Sequence, residues 1–263
     1  MEDRPSRRMR TLATQLAPRG LSDNEITRAL ISIMVMLKGD QRARMTKVPH
    51  REIAQMAPRR PPAIFVADAL GLDFLNSVAT PLDTEIDWID DGEGLLAWLE
   101  QAKLVPAETL ETLRARAMPG EFDNVAAQAR SLREWFRGFV RQRKGRPLTS
   151  EDLSELEPLN RLLERDEGFG RIVAHDHGHA SGLEFRTMRR WRSPKALLLA
   201  IGEALAKFVC EEDFSNVKAC EGPACTLMFA DHTRGRARRW CSMAVCGNRA
   251  KQAAHRYRLK MQQ

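Results

Sequence analysis

The residues best able to do chemistry in this chain are four cysteines: Cys220, Cys225, Cys241 and Cys246, spaced Cys-x4-Cys-x15-Cys-x4-Cys. Four thiolates are a complete tetrahedral set for one Zn2+ per chain, with metal–sulfur distances of about 2.3 Å. Each spacing of four leaves room for a turn that aims two sulfurs at one ion. Gly222 and Pro223 stand inside the first pair, where a tight knuckle needs turn residues. Gly247 follows the last cysteine, where close backbone approach and an N–H···S bond would be useful. With four protein ligands no position is left for water, so the metal holds structure rather than doing catalysis. The competing reading is four buried thiols without metal. No secretory leader is recognisable, so a cytoplasmic location is expected, where a disulfide framework is not. Cys210 stands apart and reads as a small packed residue.

Cations crowd this segment. Residues 218–263 carry a net charge of +8, against −8 for residues 61–217 and +7 for residues 1–60. An acidic middle between basic ends directs any polyanionic partner to the ends. After Cys246 a terminal helix is expected, with Ala250, Ala253, Ala254 and Tyr257 on one apolar stripe and cations on both flanks. The candidate nucleic-acid contacts are Arg236, Arg238, Arg239, Arg249, Lys251, Arg256 and Arg258. A helix packed on a zinc core with two cationic flanks suits the groove of duplex DNA. Against this, four thiolates and Zn2+ carry −2, so some arginines could serve to neutralise the site. Asn248 and Arg249 could equally cap the helix and bridge to the knuckle.

The segment from about Val217 to Tyr257 resembles the CGNR zinc finger. The carrying residues are the cysteine pairs, Phe229–Ala–Asp231, Thr233–Arg234, Arg238 to Met243, and Cys246–Gly–Asn–Arg249. Residues 63–205 resemble, more loosely, the ABATE domain that usually precedes this finger, through Leu72 to Ser77, Leu95 to Leu99 and Leu132–Arg133. Such proteins are regarded as bacterial stress-induced transcription regulators. The resemblance implies a DNA-binding finger beneath a helical domain that senses a ligand. The first 60 residues lie outside it.

The elements that must position these residues can be read from periodicity. Ser22 to Glu25 is a capping box ahead of an amphipathic helix over Ile26–Leu37. A Pro-rich basic linker follows, and the folded middle begins near Ala63. Short helices are expected from Gly71, from Gly94 and after Pro106. Val125, Ala129, Leu132, Trp135, Phe136, Phe139 and Val140 recur at spacings of three and four and mark the longest amphipathic helix. Ser150 starts another, with Leu153, Leu156, Leu159 and Leu162 inward and Pro158 bending or splitting it. Residues 169–174 and 183–188 alternate as strands, with residues 175–182 between them as the turn of a hairpin. Ser193–Pro194 reads as a helix N-cap, the helix running to about Cys210.

These readings give an α+β fold with three parts. Residues 1–62 form a largely disordered basic extension with one helix. Residues 63–212 form a mostly helical domain with a small β-hairpin. Residues 213–263 form a four-cysteine zinc finger of knuckle, hairpin and helix. Hydrophobic residues make up 43% of the chain and charged residues 29%, an ordinary globular balance. The longest apolar stretch, Ala29 to Leu37, is too short to span a bilayer. No GxSxG, Walker or GxGxxG motif occurs, so an enzyme has the least support. Asp73 and Asn76, one helical turn apart, are candidates for lining a small-molecule pocket, or for bracing the domain. His175, His177 and His179 invite a second metal site but fall on the expected turn, and Asp231 reads as a surface turn residue. The expected function is a zinc-dependent, DNA-binding transcription regulator whose middle domain senses a ligand or forms a homodimer. The alternative is a zinc-clipped protein-interaction adaptor.

Overall fold

The structure is a computed structural model and describes residues 60–80, 84–177 and 180–261. The expected Ile26–Leu37 helix lies outside the described residues. Among those residues the fold is α+β, with seven α-helices and three separate two-stranded antiparallel sheets. The chain runs α1 (Leu70–Leu75), β1 (Val78–Ala79), β2 (Ile86–Asp87), α2 (Gly92–Gln101), α3 (Ala107–Arg116), α4 (Glu121–Arg143), α5 (Glu157–Leu163), β3 (Gly168–His177), β4 (Ala180–Arg189), α6 (Ala196–Glu211), β5 (Val217–Ala219), β6 (Met228–Ala230) and α7 (Asn248–Met261).

Local chemistry explains the helices. Asp91 caps α2 by accepting the Gly94 N–H at 2.6 Å. In α4, Glu121 and Asp123 occupy the first turn and Arg141 and Arg143 the last, matching the helix dipole at both ends. Its inner face buries Val125, Ala129, Phe136, Phe139 and Val140. There α4 meets α1 and α6. The Phe136 ring stacks on Phe139 and stands edge-on to Phe208, and Phe208 lies 5.0 Å from Phe214. Gly71 lets α1 approach α6 closely, since a Cβ there would lie 2.6 Å from the Phe208 Cβ. Arg133, buried in the same helix, forks onto Asp87 with two 2.8 Å bonds and reaches the Ser77 hydroxyl at 3.0 Å. That pairing ties α4 to the β1–β2 hairpin.

Several elements differ in extent from their sequence reading, while the Ser150 segment is split as Pro158 leads one to expect. The α6 helix begins at Ala196, because the Ala196 and Leu197 N–H groups donate to Ser193 and Pro194 in a tight turn ahead of the first regular turn. The segment from Ser150 is split: a 3-10 turn, Ser150–Leu156, precedes α5, with Pro158 near the start of the second piece. Leu153, expected inward, is exposed on that turn. The hairpin strands are longer than expected. The β3–β4 ladder runs from Gly168↔Arg189 to His177↔Ala180, so His175 and His177 are strand residues rather than turn residues.

The core does not stop at the end of the helical domain. A single buried cluster runs from Leu72, Phe74 and Trp98 through Phe208 and Phe214 to Val217, Phe229 and the zinc-finger cysteines.

Candidate metal centre and the basic helix

The first two cysteines flank the knuckle between β5 and β6. Cys220 donates its N–H to Leu227 O at 2.9 Å, and Cys225 donates to Gly222 O at 3.0 Å, closing the turn. Glycine is needed at 222: a Cβ there would lie 3.0 Å from the Cys246 sulfur and 3.1 Å from the Cys225 Cβ. The second pair comes from the chain after β6. Glu221 N–H donates to Arg239 O, which brings the segment carrying Cys241 alongside the knuckle. A π-helical turn, Met243–Gly247, then lifts Cys246 to the site, its N–H and that of Gly247 both donating to Ser242 O.

The four sulfurs lie within 4.8 Å of one another. A tetrahedron with a metal–sulfur distance of about 2.3 Å has a sulfur–sulfur edge of about 3.8 Å. The Cys225–Cys241 and Cys241–Cys246 separations are 3.8 and 3.6 Å. Cys241 and Cys246 are almost wholly buried and Cys220 nearly so. The Gly222 and Cys241 N–H groups point at the Cys220 sulfur at 3.4 and 3.3 Å, and Arg249 reaches the Cys246 sulfur at 3.5 Å. Gly247 contributes no N–H···S bond; its N–H goes to Ser242. Without metal the thiols share protons. Contact with the neighbouring thiols lowers the Cys220 thiol and raises that of Cys241. A dication replaces that sharing and releases the protons. The donor set, edge lengths and N–H···S bonds fit one structural zinc ion bound by Cys220, Cys225, Cys241 and Cys246.

Residues flagged for other roles hold the finger to the helical domain. Asn76 is buried and grips β6 like a neighbouring strand, its Nδ2 donating to Met228 O at 2.8 Å and its Oδ1 accepting Met228 N–H at 3.0 Å. Asp73 is buried one turn earlier and accepts the Val66 and Ala67 N–H groups, both at 3.0 Å. Ala67 O in turn accepts the Ala230 N–H at 2.8 Å. Asp231 is fully buried, not a surface turn residue. It accepts from Lys218 Nζ, from the Thr233 N–H and hydroxyl, and from the Arg238 N–H. Burial pushes its carboxyl up, but Lys218 and these donors outweigh burial and hold it well below the usual carboxylate range.

The seven candidate cations fall into two groups. Arg238 is enclosed: its guanidinium lies 4.2 Å over the Phe229 ring, donates to Val66 O and to Trp240 O at 2.8 and 3.0 Å, and pairs with Asp68. Asp68 meets it from a left-handed backbone (φ 58°), which aspartate tolerates. Arg236 donates to Asp231 O, Arg239 pairs with Glu221 at 2.6 Å over Trp240, and Arg249 contacts the Cys246 sulfur. Lys251, Arg256 and Arg258 stand on α7, where every residue from 251 to 259 is exposed. The apolar stripe of that helix is therefore not packed on the zinc core. Tyr257 is 65% and Met261 71% exposed, and α7 packs chiefly on the π-helical turn at its base. Sequence reasoning offered bracing as one role for Asn76 without its partner and passed over Arg238 as an internal tie, because both roles depend on partners far along the chain.

A family model for the ABATE domain, described as "putative stress-induced transcription regulator", matches residues 68–212. A second, the CGNR zinc finger, matches residues 216–259. Neither describes an enzyme family. No curated protein matches the chain. Among the described residues no helix is long and apolar enough to cross a membrane.

Proposed function

The chain belongs to the ABATE family of transcription regulators and carries a CGNR zinc finger, and from that premise we propose that it binds duplex DNA through α7, with the helical domain sensing a ligand or pairing with a second copy. One observation carries this reading. Helix α7 has five Lys and Arg residues and no Asp or Glu, and it projects into solvent. An α-helix fits the major groove of DNA, and cations along it meet the phosphates on either side. Lys251, Arg256 and Arg258 are the principal contacts in this reading, with Arg236, Arg239 and Arg249 at the base of the helix and Arg238 acting by holding that base in place. The acidic helical domain repels the same polyanion, which leaves the finger as the face presented.

The test is a salt titration of duplex binding by the full, zinc-loaded chain. With about three to five phosphates neutralised, log K falls against log salt with a slope of about −3 to −4.5. Arg256→Glu together with Arg258→Glu abolishes binding while zinc content and melting temperature stay as they were, since both side chains are exposed and neither is a ligand. Absence of salt-sensitive affinity, or binding that survives the double reversal, overturns the proposal. The exposed Tyr257 and Met261 favour one second reading, in which α7 docks on a protein. There Tyr257→Ser, rather than charge reversal, removes the interaction.

A further inference from the structure

The helical domain is acidic as a whole, yet one of its clefts is strongly basic. A cleft of about 250 Å3 lies where β4 leads into α6. Its charged lining is Arg165, Glu167, Arg190, Arg192 and Lys195, with Gln128 and Ser193 beside them. Four cations thus face one carboxylate, and that carboxylate is taken, since Glu167 accepts from Arg192 Nε at 2.7 Å. Of the acids close by in the chain, Asp166 is held by Arg189 at 2.8 Å, while Glu164, beside Arg165, is exposed. Arg165, Arg190 and Lys195 form no ion pair among the described residues. Arg190 is positioned instead by the Phe169 ring, its guanidinium 4.6 Å from the centroid. The Arg165 backbone N–H donates to Leu162 O, and its side chain is exposed at the mouth of the cleft.

Elsewhere this domain pairs some cations with carboxylates, as Arg133 with Asp87 and Arg143 with Asp152, and leaves others singly on its surface; at this cleft three unpaired cations border one concavity. Three unmatched cations around one concavity focus a positive potential into it. We infer that this cleft is a binding site for a small, free, multiply charged anion of diphosphate size. The size follows from the volume, which is below the roughly 300–1,000 Å3 of pockets for drug-sized ligands. The holding groups are side chains. The first N–H groups of α6 are already donated to Ser193, Pro194 and Lys195 carbonyls and do not take part. Guanidinium groups of Arg165 and Arg190 offer planar forks to phosphate oxygens, and Lys195 adds a point charge. Helix α6 runs from this cleft to Glu211, just ahead of the Phe214–Asn216 turn that opens the finger. The inference gives the ligand-sensing part of the proposed function a location and a ligand class, and so rests on that part. Its readout is binding alone, without DNA, so its failure and failure of the DNA reading are separate results.

The probe is inorganic pyrophosphate, titrated calorimetrically into the full zinc-loaded chain at low salt. The expected result is saturable binding, one per chain. Arg165→Gln, Arg190→Gln and Lys195→Gln each weaken it about tenfold, the effect of losing one charge-assisted contact. A control, Lys251→Gln with Arg256→Gln and Arg258→Gln, leaves that binding in place. Wild-type protein without saturable binding overturns the inference. So does binding that is indifferent to all three cleft substitutions, or binding that disappears in the control instead. Each cleft variant is read beside its circular dichroism spectrum; if Arg165→Gln is unfolded, Lys195→Gln, at an exposed position, decides.

Discussion

Replacing Asn76 by alanine tests whether the finger is an extension of the helical domain's core or an independent bead. Asn76 is 1% exposed, and its amide satisfies both the N–H and the C=O of Met228. Alanine is too short to reach either group. Two backbone groups of β6 then lose their partner in a buried region, at about 1–3 kcal/mol each. The expected loss is therefore about 2–6 kcal/mol, a large part of the 5–15 kcal/mol that stabilises a typical domain. Asn76→Asp sharpens the test. Aspartate still accepts the Met228 N–H, but it presents a buried carboxylate to the Met228 carbonyl where an N–H donor is required, and it destabilises at least as much at neutral pH.

The assay is urea unfolding at equilibrium, followed by fluorescence of the buried Trp88 and Trp98. A second readout is zinc release to a chelator, because Met228 lies three residues beyond Cys225. Both variants release zinc faster than wild type. A loss below about 1 kcal/mol in Asn76→Ala refutes the reasoning, because a bond pair worth that little is not what holds the finger down. An aspartate variant more stable than the alanine variant refutes the assigned direction of the hydrogen bonds.

Three further outcomes are expected. Cys241→Ser loses its zinc or binds it far more weakly by elemental analysis, and full retention there removes the four-thiolate assignment. Asp87→Asn leaves Arg133 buried without its main counter-charge and costs about 3 kcal/mol by urea unfolding. Burial raises the Asp87 carboxyl, but Arg133 outweighs burial and holds it below the ordinary range. Its contribution is therefore full above about pH 4 and disappears as pH falls through the lowered folded value, so wild type and variant converge in acid. Arg238→Lys keeps the charge but cannot make the fork to Val66 O, Trp240 O and Asp68. It lowers the melting temperature while the salt slope of DNA binding is unchanged, and the reverse pattern would make Arg238 a phosphate contact.

The legible parts of this protein are those whose cause is local. The stripe from Val125 to Val140 specifies α4 because burial of one face at a period of 3.6 residues needs no knowledge of what covers it. The cysteine spacing specifies the metal site because two short turns bring the donors together wherever the rest of the chain goes. The parts not legible depend on distant partners. Asn76 and Met228 are 152 residues apart, and nothing at either position marks the pair. An aspartate at 231 beside His232 and Thr233 reads as a polar turn, and only the arrival of Lys218 and the Arg238 N–H makes it a buried brace. Arg238 and Arg256 are both arginines in a basic segment. One is enclosed by Phe229 and backbone carbonyls and the other is solvated, a difference set by the return of the Val66–Asp68 segment against the finger.

That division explains how a small finger could present a free helix with a fixed aim. The β5–β6 side is fastened to the helical domain by Asn76, by the Ala230–Ala67 bond and by Arg238. The α7 side is joined to that base through the π-helical turn and Cys246, with Arg249 reaching back to the same sulfur. Two of the zinc ligands, Cys220 and Cys225, belong to the fastened side, and Cys246 belongs to the helix. The ion therefore fixes the direction in which α7 leaves the body. Removal of zinc leaves the β5–β6 fastenings intact and takes away the link through Cys246. The cations of α7 keep their charge but lose their common orientation. In the proposed function, the chelated protein then retains weak, non-specific attraction to DNA at low salt and loses the affinity that depends on a helix seated in the groove.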